Sequence, residues 1–222
     1  MHAGRPLIAR SARRTSLVLA TVLSGALLLA ACGDGDQGAL SDMDDTDVQP
    51  PTTAMAMEQE EWWTNMQALC GQAFAGEAVV VEGTDTDFSG ELVAHFRECD
   101  QNEMKIPFHV RDNRSRTWVV TRTGEGLRLK HDHRYEDGTE EELTQYGGDT
   151  RESGTPNIQD FHVDDETVEM LPEAATNVWT MEVVPGETFV YQLIREGTDR
   201  HVRVEFDLTS PVDTPPAPWG HD

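Results

Sequence analysis

From about residue 77 to residue 208 the chain repeats one pattern: short runs alternate apolar with polar residues and are broken by glycine, proline, aspartate and asparagine. The clearest run is Val202, Val204, Phe206 and Leu208, interleaved with Arg203, Glu205 and Asp207. Residues two apart on a strand point to the same side, so this run has one face for a core and one for water. The same reading predicts strands at 77–82, 90–98, 104–111, 116–122, 126–135, 142–147, 158–162, 166–171, 177–184, 187–195 and 200–208. Pro185-Gly186 joins two of them, with proline and glycine where a type II turn needs them, and Gly197 lies in the next turn. One helix is predicted, from Glu58 to Leu69, because Trp62, Met66 and Leu69 share a face and Gly71 follows as a stop. Trp62 and Trp63 cannot both occupy that face, so one packs elsewhere, against a barrel mouth or a loop. The expected fold is all-β: a single up-and-down antiparallel β-barrel over 58–210, preceded by one short helix. Closure removes the exposed edges that an open sheet would carry. The alternative is a two-sheet sandwich such as a jelly roll.

The first 31 residues read as an address. Arg5, Arg10, Arg13 and Arg14 form a basic start without an acid, and Leu17 to Leu29 form an apolar run too short to cross a bilayer core of about 30 Å. The run ends in Leu29-Ala30-Ala31-Cys32. These four residues resemble the lipobox of bacterial lipoproteins, which implies cleavage before Cys32, its acylation, and a mature protein anchored in the cell envelope. Gly33 is not the aspartate that retains such proteins in an inner membrane, which points to the outer membrane in a cell with two. Residues 32–57 then read as an acidic tether that cannot bury enough apolar surface to offset its ordering entropy. Residues 211–222, with Pro211, Pro215, Pro216 and Pro218, read as a proline-rich tail not expected to pack throughout.

The leader holds four of the 17 basic residues and none of the 41 acidic ones, so the formal charge of residues 32–222 is −28, from 13 basic and 41 acidic groups. Such a surface excludes a generic nucleic-acid binder, which needs cations against phosphate. With Cys32 acylated, Cys70 and Cys99 remain, an even pair in an exported and oxidising setting, and a disulfide between them is expected.

Taken together, a lipobox, a helix and a β-meander with tryptophans near its ends resemble an exported lipoprotein with a calycin-type barrel, the class of lipocalins and fatty-acid-binding proteins. The Gly-x-Trp signature of lipocalins is absent, with Gly71-Gln72-Ala73 near its place, so the resemblance carries over no binding residues.

The strongest chemical lead is His131-x-His133. Leu127, Leu129, His131 and His133 share one strand face and Arg128, Lys130, Asp132 and Arg134 the other, so the leucines mark the histidine face as inward. Two imidazoles there could ligate zinc, copper, iron or nickel, or hydrogen-bond near a barrel rim. The stretch is similar to the first cupin motif, with Gly124 one residue farther upstream and Glu136 closer than that motif has them. That resemblance implies a metal-dependent enzyme using His131 and His133. His95, His109, His162 and His201 are the other imidazoles that could join them, although His109 alternates out of phase with Ile106, Phe108 and Val110. Asp85-x-Asp87-x-Ser89-Gly90 matches the start of a calcium loop, but Phe96 stands where the closing glutamate belongs. Ser89, Ser115 and Ser153 lie in no nucleophile elbow, and no catalytic residue is nominated. Arg114 and Arg116, two apart beside Trp118, could clamp an anion or meet surface carboxylates.

The expected function is that of a non-enzymatic envelope lipoprotein whose barrel binds a small or lipophilic ligand or an envelope partner. The rivals are the cupin-like metal enzyme and a purely structural envelope protein.

Overall fold

The computed structural model describes residues 55–221. Cys32, the leader and nearly all of the tether lie outside the described residues. Eleven strands follow one helix: α1 is Met57–Gln67, and β1 to β5 are Ala73–Glu82, Leu92–His95, Glu98–Cys99, Glu103–Val110 and Asn113–Arg122. Strands β6 to β8 are Leu127–His133, Tyr146–Thr150 and Ile158–Val163; a second helix, α2, is Asp165–Met170. Strands β9 to β11 are Asn177–Val184, Thr188–Arg195 and His201–Asp207. All the pairings are antiparallel, in the spatial order β2-β1-β11-β10-β9-β8-β7-β6-β5-β4-β3, and a further β2–β4 pairing joins the ends. Ten strands therefore close into one barrel, with the two-residue β3 as an appendage on β4. This is an all-β fold compatible with a calycin-like barrel, and it is a closed ring rather than two stacked sheets.

Strand alternation accounts for the interior. On β9 the residues Asn177, Trp179, Met181 and Val183 are buried, and on β11 Val202, Val204 and Phe206 are. Their neighbours are partly exposed, apart from Asp207, which is fully so. The predicted turn at Pro185-Gly186 is present: Glu187 N–H donates to the Val184 carbonyl at 2.9 Å, and Gly186 adopts φ +72°, the left-handed value a type II turn requires at that place.

Helix α1 plugs one end of the barrel. Gln59 Oε1 accepts from Ala56 N–H at 3.3 Å, and Gln59 Nε2 donates to Thr150 Oγ1 at 3.0 Å. Both tryptophans are buried, in different company. Trp62 meets the edge of Phe161 at 6.2 Å between centroids, whereas Trp63 lies under the guanidinium of Arg122 at 5.6 Å. Glu60 also pairs with Arg122. The Cys70–Cys99 disulfide forms as expected, with 6.2 Å between Cα atoms, and fastens the chain just after α1 to β3. It closes a loop of 29 residues, so reducing it is expected to lower unfolding free energy by about 3–4 kcal/mol. Urea denaturation with and without reductant measures this; equal midpoints would mean that the helix plug holds without its tie.

Three expectations are corrected. Residues 166–171 are not a strand: Asp164 Oδ1 accepts from Thr167 N–H at 2.8 Å and caps α2. The alternation of Val168 and Met170 with Thr167 and Glu169 suggests a strand, but the aspartate before it is the stronger local signal. The predicted strand 142–147 begins only at Tyr146, and within it Gly147 and Gly148 run so close to β6 and β8 that a Cβ would strike the Leu129 and His162 carbonyls. The tail also packs. Val212 N–H donates to the Ala73 carbonyl at 2.8 Å, Trp219 N–H to the Arg114 carbonyl at 3.1 Å, and His221 Nε2 lies 2.9 Å from Asp132 Oδ2.

Candidate functional site

Opposite α1 the barrel is open. Strands β4, β6, β8 and β10 end there and β5, β7, β9 and β11 begin there, so the side chains of their last inward positions surround a mouth. Below it is a cavity of about 150 Å³. Its walls are aromatic: Phe108, Trp118, His131, Tyr146, Trp179 and Tyr191. Phe108 stacks on Trp118 at 4.7 Å and Trp118 on Tyr191 at 4.4 Å; His131, which meets Tyr191 edge-on at 5.8 Å, stacks on Tyr146 at 4.6 Å. Farther down, Phe189, Phe206, Val204 and Met181 fill the interior.

The two predicted histidines do face inward, as the alternation with Leu127 and Leu129 requires. His131 is buried and both ring nitrogens are engaged: Nδ1 lies 3.1 Å from the Tyr146 carbonyl and Nε2 2.8 Å from Tyr191 Oη. A carbonyl only accepts, so Nδ1 carries the proton and donates, and Nε2 accepts from the Tyr191 hydroxyl. Burial holds the His131 imidazole down at about 3, assisted by His133 and opposed by the Tyr146 carbonyl. His133 sits nearer the rim, with Nε2 3.1 Å from Tyr146 Oη and Nδ1 3.6 Å from Glu141 Oε2. Burial and the Arg116 charge lower it to about 4, against the pull of Asp132. Both are neutral imidazoles at physiological pH. Burial pushes the Tyr146 phenol up to about 12 and the Tyr191 phenol well above its ordinary value, so neither is a base.

This arrangement supplies a metal with two imidazoles and no more. Among the described residues no group of three or more His, Cys, Asp or Glu side chains stands ready to hold a metal ion. His131 Nε2 would first have to release Tyr191. His109 does not converge on the pair: it is paired with Val93 in the β2–β4 register, points out of the barrel, and lies buried beside Val212, Pro215 and Trp219 of the tail. His201 Nε2 lies 3.2 Å from Gln192 Oε1. Among the described residues the pair thus lacks the third ligand that a stable metal site needs. Asp87, of the calcium-like stretch, accepts from Ser89 N–H and pairs with Arg111 at 2.9 Å.

Arg114 and Arg116, both on β5, part company. Arg114 donates to the Ala217 carbonyl of the tail at 2.7 Å, whereas Arg116 lines the cavity. Two others reach the same mouth, Arg195 at the end of β10 and Arg200 just before β11. Sequence reasoning missed this pair, although its signal was there: Tyr191, Leu193 and Arg195 share one parity, and so do Arg200, Val202 and Val204.

In comparison with known proteins, no family model, no curated protein and no solved structure matches the chain.

Proposed function

We propose that the protein is a non-enzymatic binding barrel of the bacterial cell envelope, anchored through lipid on Cys32 and held off the membrane by residues 33–57, which takes a small ligand into its open end. The observation that carries the binding reading is the aromatic-walled cavity at the end opposite the helix plug. A barrel of this size can fill its interior with side chains, as this one does at the plugged end. Leaving space lined by flat rings at the open end is the usual form of a small-molecule site, apolar with a few fixed polar groups. About 150 Å³ is room for one aromatic ring. The lipobox-like Leu29-Ala30-Ala31-Cys32 supports the anchor, with outer membrane favoured by Gly33. The disulfide accords with an exported protein.

Protein purified from its own envelope under gentle conditions should carry a bound small molecule, read by native mass spectrometry as a mass beyond chain and lipid. Bare protein from several preparations, with no mass gained on addition of one-ring compounds, would sink the binding role. For the anchor, Cys32→Ala should leave the membrane fraction after a high-salt wash, since the acyl chains contribute about 0.8 kcal/mol per buried methylene. Retention of that variant would mean another attachment.

A further inference from the structure

The mouth of the cavity is charged opposite to the rest of the molecule. Downstream of the leader the chain has 13 lysines and arginines against 41 carboxylates, so any exposed cation has carboxylates in excess around it. Among the described residues, eight of the 13 pair with a carboxylate within 4 Å. Five do not, and three of those five, Arg116, Arg195 and Arg200, line this one cavity. The remaining two, Arg114 and Arg151, donate to carbonyls elsewhere.

Register explains the convergence. Arg116 is paired with His133 across β5 and β6, two residues from the inward Trp118, so it belongs to the inward row. Arg195 and Arg200 flank the β10–β11 turn, where Arg195 N–H donates to the Arg200 carbonyl at 3.0 Å. Among the described residues all three guanidinium groups hydrogen-bond only to neutral partners: Asn113 Oδ1 at 3.3 Å for Arg116, Asn177 Oδ1 at 2.9 Å for Arg195 and the Gly83 carbonyl at 3.4 Å for Arg200. Arg200 Nε is buried without any partner among the described residues. Each group is half-buried, so unneutralised charge is held where water screens it poorly. Burial and the neighbouring Arg200 both lower the affinity of Arg195 for its proton, against the opposing pull of Glu173. Of the carboxylates at this end, Asp87 pairs with Arg111 and Glu141 lies beside His133, while Asp85 shares a surface pocket with Arg116 and Arg200 without an ion pair to either.

Given that the cavity is a binding site, we infer that its ligand is a small aromatic acid, with the ring against the aromatic wall of Trp118, Tyr146, Trp179 and Tyr191 and the carboxylate at Arg116, Arg195 and Arg200. A planar guanidinium matches a carboxylate with two parallel hydrogen bonds, and rings pack well on the flat walls. The surrounding acidic surface repels anions at long range, so the selection acts at contact.

The test uses three one-ring probes of similar size on the wild-type protein at neutral pH: benzoate, benzyl alcohol and benzylamine, followed by calorimetry or tryptophan fluorescence. Benzoate is expected to bind about tenfold or more tighter than benzyl alcohol, and benzylamine more weakly than either. In Arg195→Gln and Arg200→Gln the benzoate affinity should fall about tenfold with benzyl alcohol unchanged, a ratio that controls for any loss of folded protein. Equal binding of benzoate and benzyl alcohol, or tighter binding of benzylamine, would overturn anion selection while leaving the cavity a binding site. Binding of none of the three would overturn both.

Discussion

Lowering the pH from about 7 to about 5 is expected to remove roughly 5 kcal/mol of stability, before most carboxylates begin to titrate. The cause is three buried neutral histidines. His131 is held at about 3, and His109 and His133 at about 4, in each case first by burial. In the unfolded chain each returns to its ordinary value near 6.5. Below that value the unfolded state takes up three protons that the folded state refuses, so acid favours unfolding. Each histidine contributes about 1.4 kcal/mol per pH unit once its unfolded form is protonated, and the loss levels off only when the folded value is passed. His95 is lowered too, by burial and by Arg97, and adds in the same direction. The buried carboxylates act in a separate window. Asp132 lies below its ordinary value because Arg134 and His221 outweigh its burial, so its contribution is present above about pH 4 and is lost below that. Against a typical total of about 5–15 kcal/mol, the histidine effect is large. Urea denaturation at pH 7, 6 and 5 measures it. The His109→Gln variant should flatten the slope by about a third while leaving the cavity intact, since His109 is on the outer face. A flat profile between pH 7 and 5 would mean that these imidazoles are protonated or accessible in the fold.

The second large effect concerns Trp118. It is buried, stacks on both Phe108 and Tyr191, and meets Phe189 and Phe206 edge-on at 6.1 and 6.2 Å. It is thus at once the floor of the cavity and the link to the filled half of the core. Trp118→Ala should cost about 3–5 kcal/mol, from lost burial and the void left in a ring-stacked wall. Trp118→Phe keeps a ring and should cost less than half of that. A loss below about 1 kcal/mol for the alanine variant, by chemical denaturation, would place Trp118 outside the core contacts described here.

Much of this fold was legible because its cause is local. Period-two alternation placed β9, β10 and β11, the Pro185-Gly186 turn needs only its own two residues, and the leucines before His131 and His133 fixed the inward face. The cysteine pair followed from an even count. What could not be read locally depends on contacts between distant segments. The β2–β4 pairing that closes the ring joins Leu92 to Val110 and Ala94 to Phe108, and no pattern within either strand announces it. The course of the tail is set by Asp132, Arg114 and Ala73, widely separated in the chain. The arginines are an intermediate case. Each sits on the parity of its buried neighbours, which the sequence displays, but only barrel closure brings residue 116 beside residues 195 and 200. Helix α2 was missed for another reason, that a six-residue segment is too short for its period to be distinguished from alternation.

The tryptophans report directly on where a ligand sits. Of the five, Trp62 and Trp63 are at the plugged end, Trp118 and Trp179 are in the cavity wall, and Trp219 is in the tail. Titrating the ¹⁵N-labelled protein with benzoate or benzyl alcohol while observing the five indole N–H signals tests whether the open end is the binding site. The expected result is a saturable shift of Trp118 and Trp179, with Trp62, Trp63 and Trp219 unmoved. Shifts confined to Trp219 or to the plugged end, or no shift of any indole, would contradict it.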